Sequence, residues 1–349
     1  MSVFDRDKSA TRIPVSIVTG FLGAGKTTLI NRLLGHAEMA GALVIVNEFG
    51  AVGLDHLFIE SRDNDLVLLS SGCICCTVRG EMELTLRDLA ARRQAGEIAF
   101  DRVLVETTGL ADPGPVAALF LNHPMVMHDF RLQAVITVVD AVHGLDQLDA
   151  RPEAMVQAAF ADRLIISKTD IAPADTVALL IRRLEAVAPT AERIVANHGA
   201  VAPALLFAPV AAAAARVLPP VLAVHPTVCA DPACGHPDHG ARHDTRIRAL
   251  SIVHDRPLPW AAVNAWLAGV RATWGDQLLR LKGLVAVEEE PGPLVVHGVH
   301  TTFHPPVALD QWPDGDRRTR IVLIVNGVDP AAIVASFEMV QAAAPAGPG

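Results

Sequence analysis

The sequence has little of what nucleic-acid-binding and membrane-surface proteins need. Charged residues make up 19% of the chain, and 38 aspartates and glutamates outnumber 29 lysines and arginines, which gives a formal net charge of −9. Such a surface lacks the basic stripe that neutralises nucleic-acid phosphates, and it does not favour adhesion to anionic lipid. We therefore expect neither nucleic acid nor a membrane as a partner.

Long apolar runs are also missing. The longest weakly charged stretch, residues 201–218, is interrupted by Pro203, Pro209 and Arg216, whereas a membrane span needs about 20 apolar residues without such breaks. Residues 1–14 are polar and charged and contain no apolar export signal. These absences predict a soluble, cytoplasmic protein. In that compartment, clustered cysteines are more often metal ligands or redox groups than structural disulfides.

What is present is a composition able to form a substantial core, with 51% hydrophobic residues in a chain of 349. Up to about residue 207, short apolar runs alternate with segments of helical pattern. The predicted strands of this part are 13–19, 42–47, 66–69, 102–106, 133–139 and 163–167, and the predicted helices follow Gly25 or span 81–95, 115–121 and 173–187. Most of the strands lack period-two alternation, which is typical of a parallel sheet covered on both faces. This alternation of strands and helices predicts a doubly wound α/β domain over 1–207.

The rest of the sequence divides into a linker and a second domain. Residues 208–245 contain an alanine run, two adjacent prolines and a patch rich in Cys and His, which predicts a linker or a functional insertion. From residue 246 to residue 349, the predicted elements are strands at 246–253, 278–287, 294–299 and 320–325, a helix with Trp260, Val263, Leu267 and Val270 on its apolar face, and a helix from about Pro330. These elements indicate a smaller α+β domain.

A phosphate-binding motif stands between the first predicted strand and the first helix. Residues 20–27 read G-x-x-x-x-G-K-T, a loop in which glycines let backbone N–H groups converge on phosphate oxygens. In such a loop Lys26 reaches the β- and γ-phosphates, and the Thr27 hydroxyl coordinates Mg²⁺. The nucleotide-binding candidates of this loop are Gly20, Gly23, Ala24, Gly25, Lys26, Thr27 and Thr28. The alternative is an ordinary glycine-rich turn, which would not need the flanking strand and helix.

Two acids follow predicted strands and are candidates for catalysis. Glu106 lies at the tip of its strand, where a second contact to Mg²⁺ belongs, directly or through water. Gly109, three residues later, has an N–H for the γ-phosphate. Glu48 lies in an Asn-Glu-Phe-Gly sequence at 47–50 and is a candidate to contact Mg²⁺, orient water or ligate a second metal. The alternatives are a helix-capping acid for Glu106 and a turn-stabilising acid for Glu48.

The residues after Gly109 bear on the rate of hydrolysis. Leu110 and Ala111 stand where a water-orienting glutamine would be, and no arginine finger is identifiable. We therefore expect slow intrinsic hydrolysis that a partner or a metal accelerates.

A base-reading motif follows the strand at 163–167. Ser167-Lys168-Thr169-Asp170 matches the guanine-reading pattern N-K-x-D with serine in place of asparagine. The Asp170 carboxylate accepts hydrogen bonds from guanine N1–H and from the 2-amino group, a pair of donors that adenine does not have. Lys168 would lie over the plane of the base. The loss of the asparagine weakens the guanine assignment, although serine can still form a hydrogen bond, and the alternative is a surface K-x-D tripeptide.

Three of the five cysteines fall within four positions, at Cys73, Cys75 and Cys76. In an extended segment Cys73 and Cys75 point the same way, and Cys76 joins them only if the chain turns. Three thiolates and a fourth donor suit tetrahedral Zn²⁺ or Cu(I), and Co²⁺ is an alternative. A cluster without metal would instead consist of buried hydrophobic cysteines or a redox pair.

A second group of candidate ligands lies in the linker. Four of the 14 histidines occur there together with the two remaining cysteines. Its members are His225, Cys229, Cys234, His236, His239 and His243. Their spacings suit metal ligands but match no tight zinc-finger pattern, so a solvated linker that happens to contain histidine stays an alternative.

Together, these motifs resemble the CobW-type branch of the P-loop GTPases, relatives of the UreG and HypB metallochaperones. The matching stretches are GFLGAGKTT at 20–28, NEFG at 47–50, GCICC at 72–76, ETTGLADPGP at 106–115 and SKTD at 167–170, with LLRLKG at 278–283 and VVHGVH at 295–300 in the second domain. The resemblance covers nearly the whole chain. It implies a P-loop NTPase fold followed by a CobW-type C-terminal domain over 246–349.

The resemblance also implies a function. It indicates a GTPase that binds a transition metal, zinc first with cobalt or nickel as alternatives, and delivers it to a client metalloprotein or a cofactor pathway. Carried over by position, Lys26, Thr27 and Glu106 would serve GTP and Mg²⁺, Lys168 and Asp170 would read the base, and Cys73, Cys75 and Cys76 would hold the transition metal. The alternatives are a cobalt-delivery or enzyme-maturation factor that acts mainly through protein binding, and a metal buffer. Self-association into a homodimer stays open.

Two departures from the family pattern concern the metal. Some relatives carry acids beside the N-E-F-G motif, where this chain has Val46 and Ala51. Many relatives also have a denser His-x-His run where this chain has the mixed Cys/His patch. The identity of the metal, or the role of the patch as a store rather than a transfer site, can therefore differ here.

Overall fold

A computed structural model describes residues 11–47, 66–69, 76–208 and 247–343. These residues form two compact units, one built from most of the chain up to residue 208 and one built from residue 247 onward. Because each unit has its own sheet, each is described by itself.

The first unit is built on a parallel sheet. Its strands are β1 (Ile13–Thr19), β2 (Ala42–Asn47), β3 (Leu66–Leu69), β4 (Arg102–Thr107), β5 (Phe130–Asp140), β6 (Arg163–Ser167) and β7 (Glu192–Val195). Within the described residues the seven strands lie in the order β3-β2-β4-β1-β5-β6-β7, and all neighbours are parallel. Every residue of β6 and all but one of β1 is buried, which requires cover on both faces of the sheet.

Helices connect these strands. They are α1 (Lys26–Leu34), α2 (Cys76–Gln94), α3 (Gly114–Asn122), α4 (Pro124–Asp129), α5 (Gly144–Ala150), α6 (Pro152–Ala159), α7 (Ala174–Val187) and α8 (Pro203–Phe207). From β1 the chain passes to β2 and β3 on one side, returns through β4, and continues to β5 and β6 on the other side. β1 therefore lies at the switch in strand order, and in such sheets ligands bind beyond the carboxyl ends of the strands at that switch.

The predicted fold class is confirmed, with local differences. All six predicted strands of this unit are present, and β5 begins three residues before the predicted 133. Strand β7 and the helices α4, α5, α6 and α8 were not predicted. Helix α2 was predicted from residue 81 but begins at Cys76, so the last of the clustered cysteines is the first residue of a helix.

The second unit contains an antiparallel sheet. Its elements are β8 (Ile247–His254), α9 (Trp260–Trp274), β9 (Leu278–Val285), β10 (Leu294–Val299), β11 (Thr302–Phe303), β12 (Val307–Ala308), β13 (Thr319–Asn326) and α10 (Pro330–Ala343). The strands lie in the order β11-β10-β9-β13-β8, and β12 pairs with β10. Trp266 of α9 and Phe337 of α10 pack edge to face with ring centroids 5.0 Å apart, so the two helices share one core with the sheet.

None of the helices in the described part of the chain combines the length and the apolar character that a membrane crossing requires.

Candidate nucleotide site

The loop between β1 and α1 has the backbone of a phosphate cradle. Gly20, Gly23 and Gly25 adopt φ values of 140°, 72° and 102°, a region that side-chain-bearing residues rarely enter. A Cβ atom on Gly20 would lie 2.3 Å from the Val138 carbonyl oxygen. The loop therefore needs glycine at its start both for its backbone conformation and for its close approach to β5.

Lys26 opens α1 and turns its ammonium group back over the loop. The side chain is 9% exposed, and Nζ donates to the carbonyl oxygens of Gly20 at 2.9 Å and Phe21 at 3.3 Å. A buried cation held by carbonyl oxygens at the mouth of a glycine loop is placed to meet phosphate oxygens.

Thr27 and Glu106 bring two hard oxygen ligands together. Glu106, on β4, lies beside Val18 of β1 in the sheet register and is 3% exposed. The Thr27 hydroxyl donates to Glu106 Oε1 at 2.9 Å. Hydroxyl and carboxylate oxygens are the donors that Mg²⁺ takes, so this pair fits the ion. A neighbouring hydrogen bond of 2.8 Å from the Thr107 hydroxyl to the Thr19 hydroxyl joins the ends of the same two strands.

The loop after β4 presses against the phosphate loop. A Cβ atom on Gly109 would lie 2.7 Å from the backbone nitrogen of Leu22 and 2.8 Å from its Cα. The Asp112 carboxylate then accepts from the Gly114 N–H at 2.7 Å, at the start of α3. The structure therefore holds Gly109 directly against the backbone of the phosphate loop.

The segment after β6 is hydrogen bonded to the phosphate loop. The Ser167 hydroxyl donates to the Ala24 carbonyl oxygen at 2.7 Å. Lys168 has a φ of 57°, and its Nζ donates to the Gly23 carbonyl oxygen at 2.8 Å and to Asp140 Oδ2 at 2.6 Å. Serine at the position of the usual asparagine therefore still ties the base-reading motif to the phosphate loop.

Two parts of this site were not identified from the sequence. Asp140, at the end of β5, is 1% exposed and also accepts from the Val142 N–H at 2.7 Å. The second part is the turn Asn197–Gly199 after β7. Asn197 Oδ1 accepts from the Thr169 N–H at 3.0 Å and from its hydroxyl at 2.8 Å. The strand before this turn, β7, contains Glu192 and Arg193 and has no fully buried residue, so no sequence signal pointed to the turn.

The same turn supplies a neighbour for Asp170. Nε2 of His198 lies 3.3 Å from Asp170 Oδ2, and His198 has a φ of 52°. Gly199 has a φ of 72°, and a Cβ there would lie 2.8 Å from the Thr28 carbonyl oxygen. The turn is therefore seated on the first turn of α1 and borders the Asp170 carboxylate.

The transition-metal candidates lie mostly outside the described residues. This applies to Glu48, Cys73 and Cys75 and to the patch His225, Cys229, Cys234, His236, His239 and His243. The backbone places Asn47 at the end of β2 and Cys76 at the start of α2. In the part of the chain that the structure describes, no three His, Cys, Asp or Glu side chains are grouped as a metal site.

Helix α2 connects the position of Cys76 with the loop after β4. It contacts α3 and α4, and Nε2 of His123, between those helices, lies 3.2 Å from Glu83 Oε2 of α2. Helix α3 begins at Gly114, directly after the loop that follows β4 and carries Gly109. A continuous packed route therefore joins the two segments.

A parallel sheet with a glycine cradle, a buried lysine and a Thr–Glu oxygen pair at its switch point defines a P-loop nucleotide-binding protein. The family model for the CobW/HypB/UreG nucleotide-binding domain matches residues 14–195, and the model for the cobalamin synthesis protein cobW C-terminal domain matches residues 247–341. The chain belongs to the CobW family, as the motifs predicted.

Several relatives are similar to this chain over most of its length. The zinc chaperone YjiA of Escherichia coli is 32% identical over 90% of this chain and 94% of its own. The zinc chaperone CobW of Pseudomonas aeruginosa is 32% identical over 93% and 91%. The crystal structure of Zn(II)-bound E. coli YjiA GTPase is 28% identical, covers 94% of this chain and 99% of its own, and has a TM-score of 0.69.

A further zinc-bound structure shows a YjiA triple mutant in which one glutamate and two cysteines are replaced by alanine. It is 27% identical, covers 94% of this chain and 99% of its own, and has a TM-score of 0.69. Zinc is therefore bound in that relative with those three side chains removed.

Proposed function

We propose that this protein is a cytoplasmic, GTP-hydrolysing metallochaperone that binds zinc at Cys73, Cys75 and Cys76 and delivers it to a client metalloprotein. In this proposal residues 1–207 form the GTPase domain, 208–245 the linker, and 246–349 the C-terminal domain. The zinc-chaperone names of the relatives and the GTPase named among the solved structures support it.

The observation that carries the GTP assignment is the attachment of the base-reading segment to the phosphate loop. The Ser167 hydroxyl reaches the Ala24 carbonyl at 2.7 Å, and Lys168 Nζ reaches the Gly23 carbonyl at 2.8 Å. These bonds attach the segment that carries Asp170 to the cradle. A carboxylate in that position accepts two hydrogen bonds from guanine and would be left with an unmet acceptor by adenine.

The residues of the cradle have different roles in the proposed binding of phosphate and Mg²⁺. Lys26 would bind the β- and γ-phosphates, and Thr27 and Glu106 would hold Mg²⁺. When bound, Mg²⁺ would neutralise negative charge on the phosphates. Leu110 is 53% exposed and stands in the region where a water-orienting polar side chain would act. Slow intrinsic turnover would follow, because Leu110 and Ala111 have no polar side chain to orient the attacking water.

Coupling between nucleotide and zinc would run through α2. GTP would order the loop 106–113 and the segment around Glu48, and hydrolysis would relax them. Because α3 starts at the end of that loop and packs on α2, a shift of the loop reaches the helix that begins at Cys76. The three thiolates would then hold zinc more tightly in the GTP state than in the GDP state.

The test compares zinc affinity in two nucleotide states. The full-length protein is titrated with Zn²⁺ in competition with a chromogenic chelator, once with GDP and once with a non-hydrolysable GTP analogue. We expect about tenfold tighter zinc binding with the analogue, within the usual range of coupling between sites. The combined variant Cys73→Ser, Cys75→Ser and Cys76→Ser should lose this nucleotide-linked binding and keep its nucleotide affinity.

The chain offers a matched control, because its other two cysteines lie in the linker patch. The double variant Cys229→Ser and Cys234→Ser should retain the nucleotide-linked zinc binding. If only the double variant loses it, the patch captures the metal and the protein acts as a buffer. If neither variant changes zinc affinity, the proposed zinc site is wrong.

Two further arms separate the remaining parts of the proposal. Parallel titrations with Co²⁺ and Ni²⁺ test the choice of metal, and a preference for Co²⁺ would favour a cobalt-delivery factor. Hydrolysis of GTP is compared with hydrolysis of ATP in the parent protein. Equal turnover of the two nucleotides would contradict the base-reading role of Asp170.

A further inference from the structure

Gln157 of α6 holds the loop after β4 from behind. Its side chain is 1% exposed, and the amide Nε2 donates to the Gly109 carbonyl oxygen at 3.1 Å and to the Ala111 carbonyl oxygen at 3.0 Å. Both hydrogens of one buried amide are thus used on one loop. The Gln157 backbone is fixed in turn, because its own carbonyl oxygen accepts from the Thr137 hydroxyl of β5 at 2.8 Å.

The orientation of this amide follows from its partners. Carbonyl oxygens only accept hydrogen bonds, so the nitrogen of the Gln157 side chain must face them and the oxygen must face away. Among the described residues, Gln157 Oε1 has no hydrogen-bond partner. The side chain is therefore placed for donation to the loop, and an acceptor of the same shape would not replace it.

The loop that Gln157 holds is the one that touches the phosphate loop. Its turn is closed by a hydrogen bond of 3.1 Å from the Ala111 N–H to the Thr108 carbonyl oxygen. Gly109 lies against the backbone of Leu22 on the opposite side. The Gly109 carbonyl oxygen is held by Gln157, and the Thr108 carbonyl oxygen, which shares a peptide plane with the Gly109 N–H, is held by the Ala111 N–H. Both peptide groups of Gly109 are therefore hydrogen bonded, which limits where its N–H points.

We infer that Gln157 is a positioning residue that sets the Gly109 N–H for the γ-phosphate and so makes the protein distinguish GTP from GDP. The inference rests on the proposed GTPase function and deepens it. GDP has no γ-phosphate, so its affinity does not depend on this N–H. GTP affinity and the hydrolytic step do depend on it. The donor must be in place where the γ-phosphate is bound and where negative charge develops on it during hydrolysis.

The variants are Gln157→Met and Gln157→Glu. The first keeps the length of the side chain and removes both N–H donors. The second places carboxylate oxygens against the carbonyl oxygens of Gly109 and Ala111. The expected result for Gln157→Met is about tenfold weaker binding of a non-hydrolysable GTP analogue, because two hydrogen bonds are lost. GDP affinity should stay within about twofold, and kcat for GTP should fall by about tenfold or more. Gln157→Glu should be at least as impaired, since a carboxylate repels the two carbonyl oxygens.

Gln147→Met and Gln147→Glu are the matched controls. Gln147 of α5 lines the same small cavity as Gln157, and within the described residues no hydrogen bond joins its side chain to the loop. These variants should leave both affinities and kcat near parental values. Gln157→Asn serves as a milder variant if Gln157→Met does not fold, because it keeps a buried amide but retracts it from the two carbonyl oxygens.

The outcomes separate the inference from the function it rests on. If the parent neither binds guanine nucleotides nor hydrolyses GTP, the proposed function fails. If the parent does both and the Gln157 variants weaken GDP and the GTP analogue equally, Gln157 only supports the fold and the inference is overturned. Unchanged affinities and kcat in a folded Gln157→Met protein would overturn it as well.

Discussion

The replacement Gly199→Ala tests whether the turn after β7 belongs to the nucleotide site. Gly199 has a φ of 72°, and an added Cβ would lie 2.8 Å from the Thr28 carbonyl oxygen and 3.0 Å from Leu29 Cα. Alanine in the left-handed region costs about 1–2 kcal/mol, and crowding in a packed site costs about 1–3 kcal/mol more. The contacted atoms are helix backbone, so the turn Asn197–Gly199 must move instead.

The turn is bonded to the base-reading motif, so its movement should be visible in nucleotide binding. If about 1.4 kcal/mol of the energetic cost of crowding is lost from the free energy of GDP binding, GDP binds about tenfold more weakly. The assay is GDP binding by calorimetry, followed by steady-state GTP hydrolysis. KM should rise with the loss of affinity, and kcat at saturating GTP should fall by less, because the turn is bonded to Thr169 of the proposed base-reading motif and not to Lys26 or Glu106.

Gly96→Ala is the matched control. Gly96 has a φ of 75°, and a Cβ there would have no atom within 4 Å. It carries the same backbone strain without the clash, so it should lose stability but keep GDP affinity. If Gly199→Ala and Gly96→Ala bind GDP equally well, the turn takes no part in base binding and the assignment of this side of the site is refuted.

Two predictions concern the stability of the second unit. Phe337→Ala should destabilise this unit by about 3–5 kcal/mol in urea unfolding, because it removes a ring packed 5.0 Å from that of Trp266, whereas Met339→Ala, at a side chain 73% exposed, should change it by less than about 0.5 kcal/mol. A hydrogen bond from the Arg318 side chain lowers the pKa of Asp316 from 3.8 to about 2. The resulting stabilisation, about 1 kcal/mol after allowance for solvent screening, should be complete above pH 4 and vanish as the pH falls through 2. Asp316→Asn should abolish this dependence in urea midpoints measured between pH 2 and 6, and an unaltered pH profile would contradict the prediction.

Most of the sheet of the first unit was predictable because its inner strands are buried. A strand that is covered on both faces has a continuous apolar sequence. The bounds of β1, β2, β3 and β6 were predicted to the residue. Strand β7 has no fully buried residue and contains Glu192 and Arg193, so its sequence does not differ from that of a surface loop. An edge strand of this kind is defined by its pairing with β6, which the sequence does not express.

The start of α2 was not predictable for a different reason. Residues 76–80 read Cys-Thr-Val-Arg-Gly, of which only arginine is a strong helix former. Local preference therefore gives no sequence signal for the start of this helix.

Within the site, sequence motifs predicted the residues that we propose to bind the nucleotide, whereas the contacts that support those residues are seen in the structure. Lys26, Thr27 and Glu106 follow from a spacing rule, because phosphate and Mg²⁺ chemistry requires those groups at those distances along the chain. Asp140 and Gln157 act by touching residues 28 and 48 positions away. The sequence separation between such contacting residues follows no rule, so only the folded structure identifies them.

The bonds from Ser167 and Lys168 to the phosphate loop have a consequence for how this protein's selectivity is measured. Because the carbonyl groups of Ala24 and Gly23 belong to the cradle, the free energies of binding a base and of binding phosphates are not independent quantities. Contributions from groups joined in one network do not add. A nucleotide altered only in its base should therefore change turnover as well as affinity, and the cost of removing base and phosphate contacts together should differ from the sum of the separate costs.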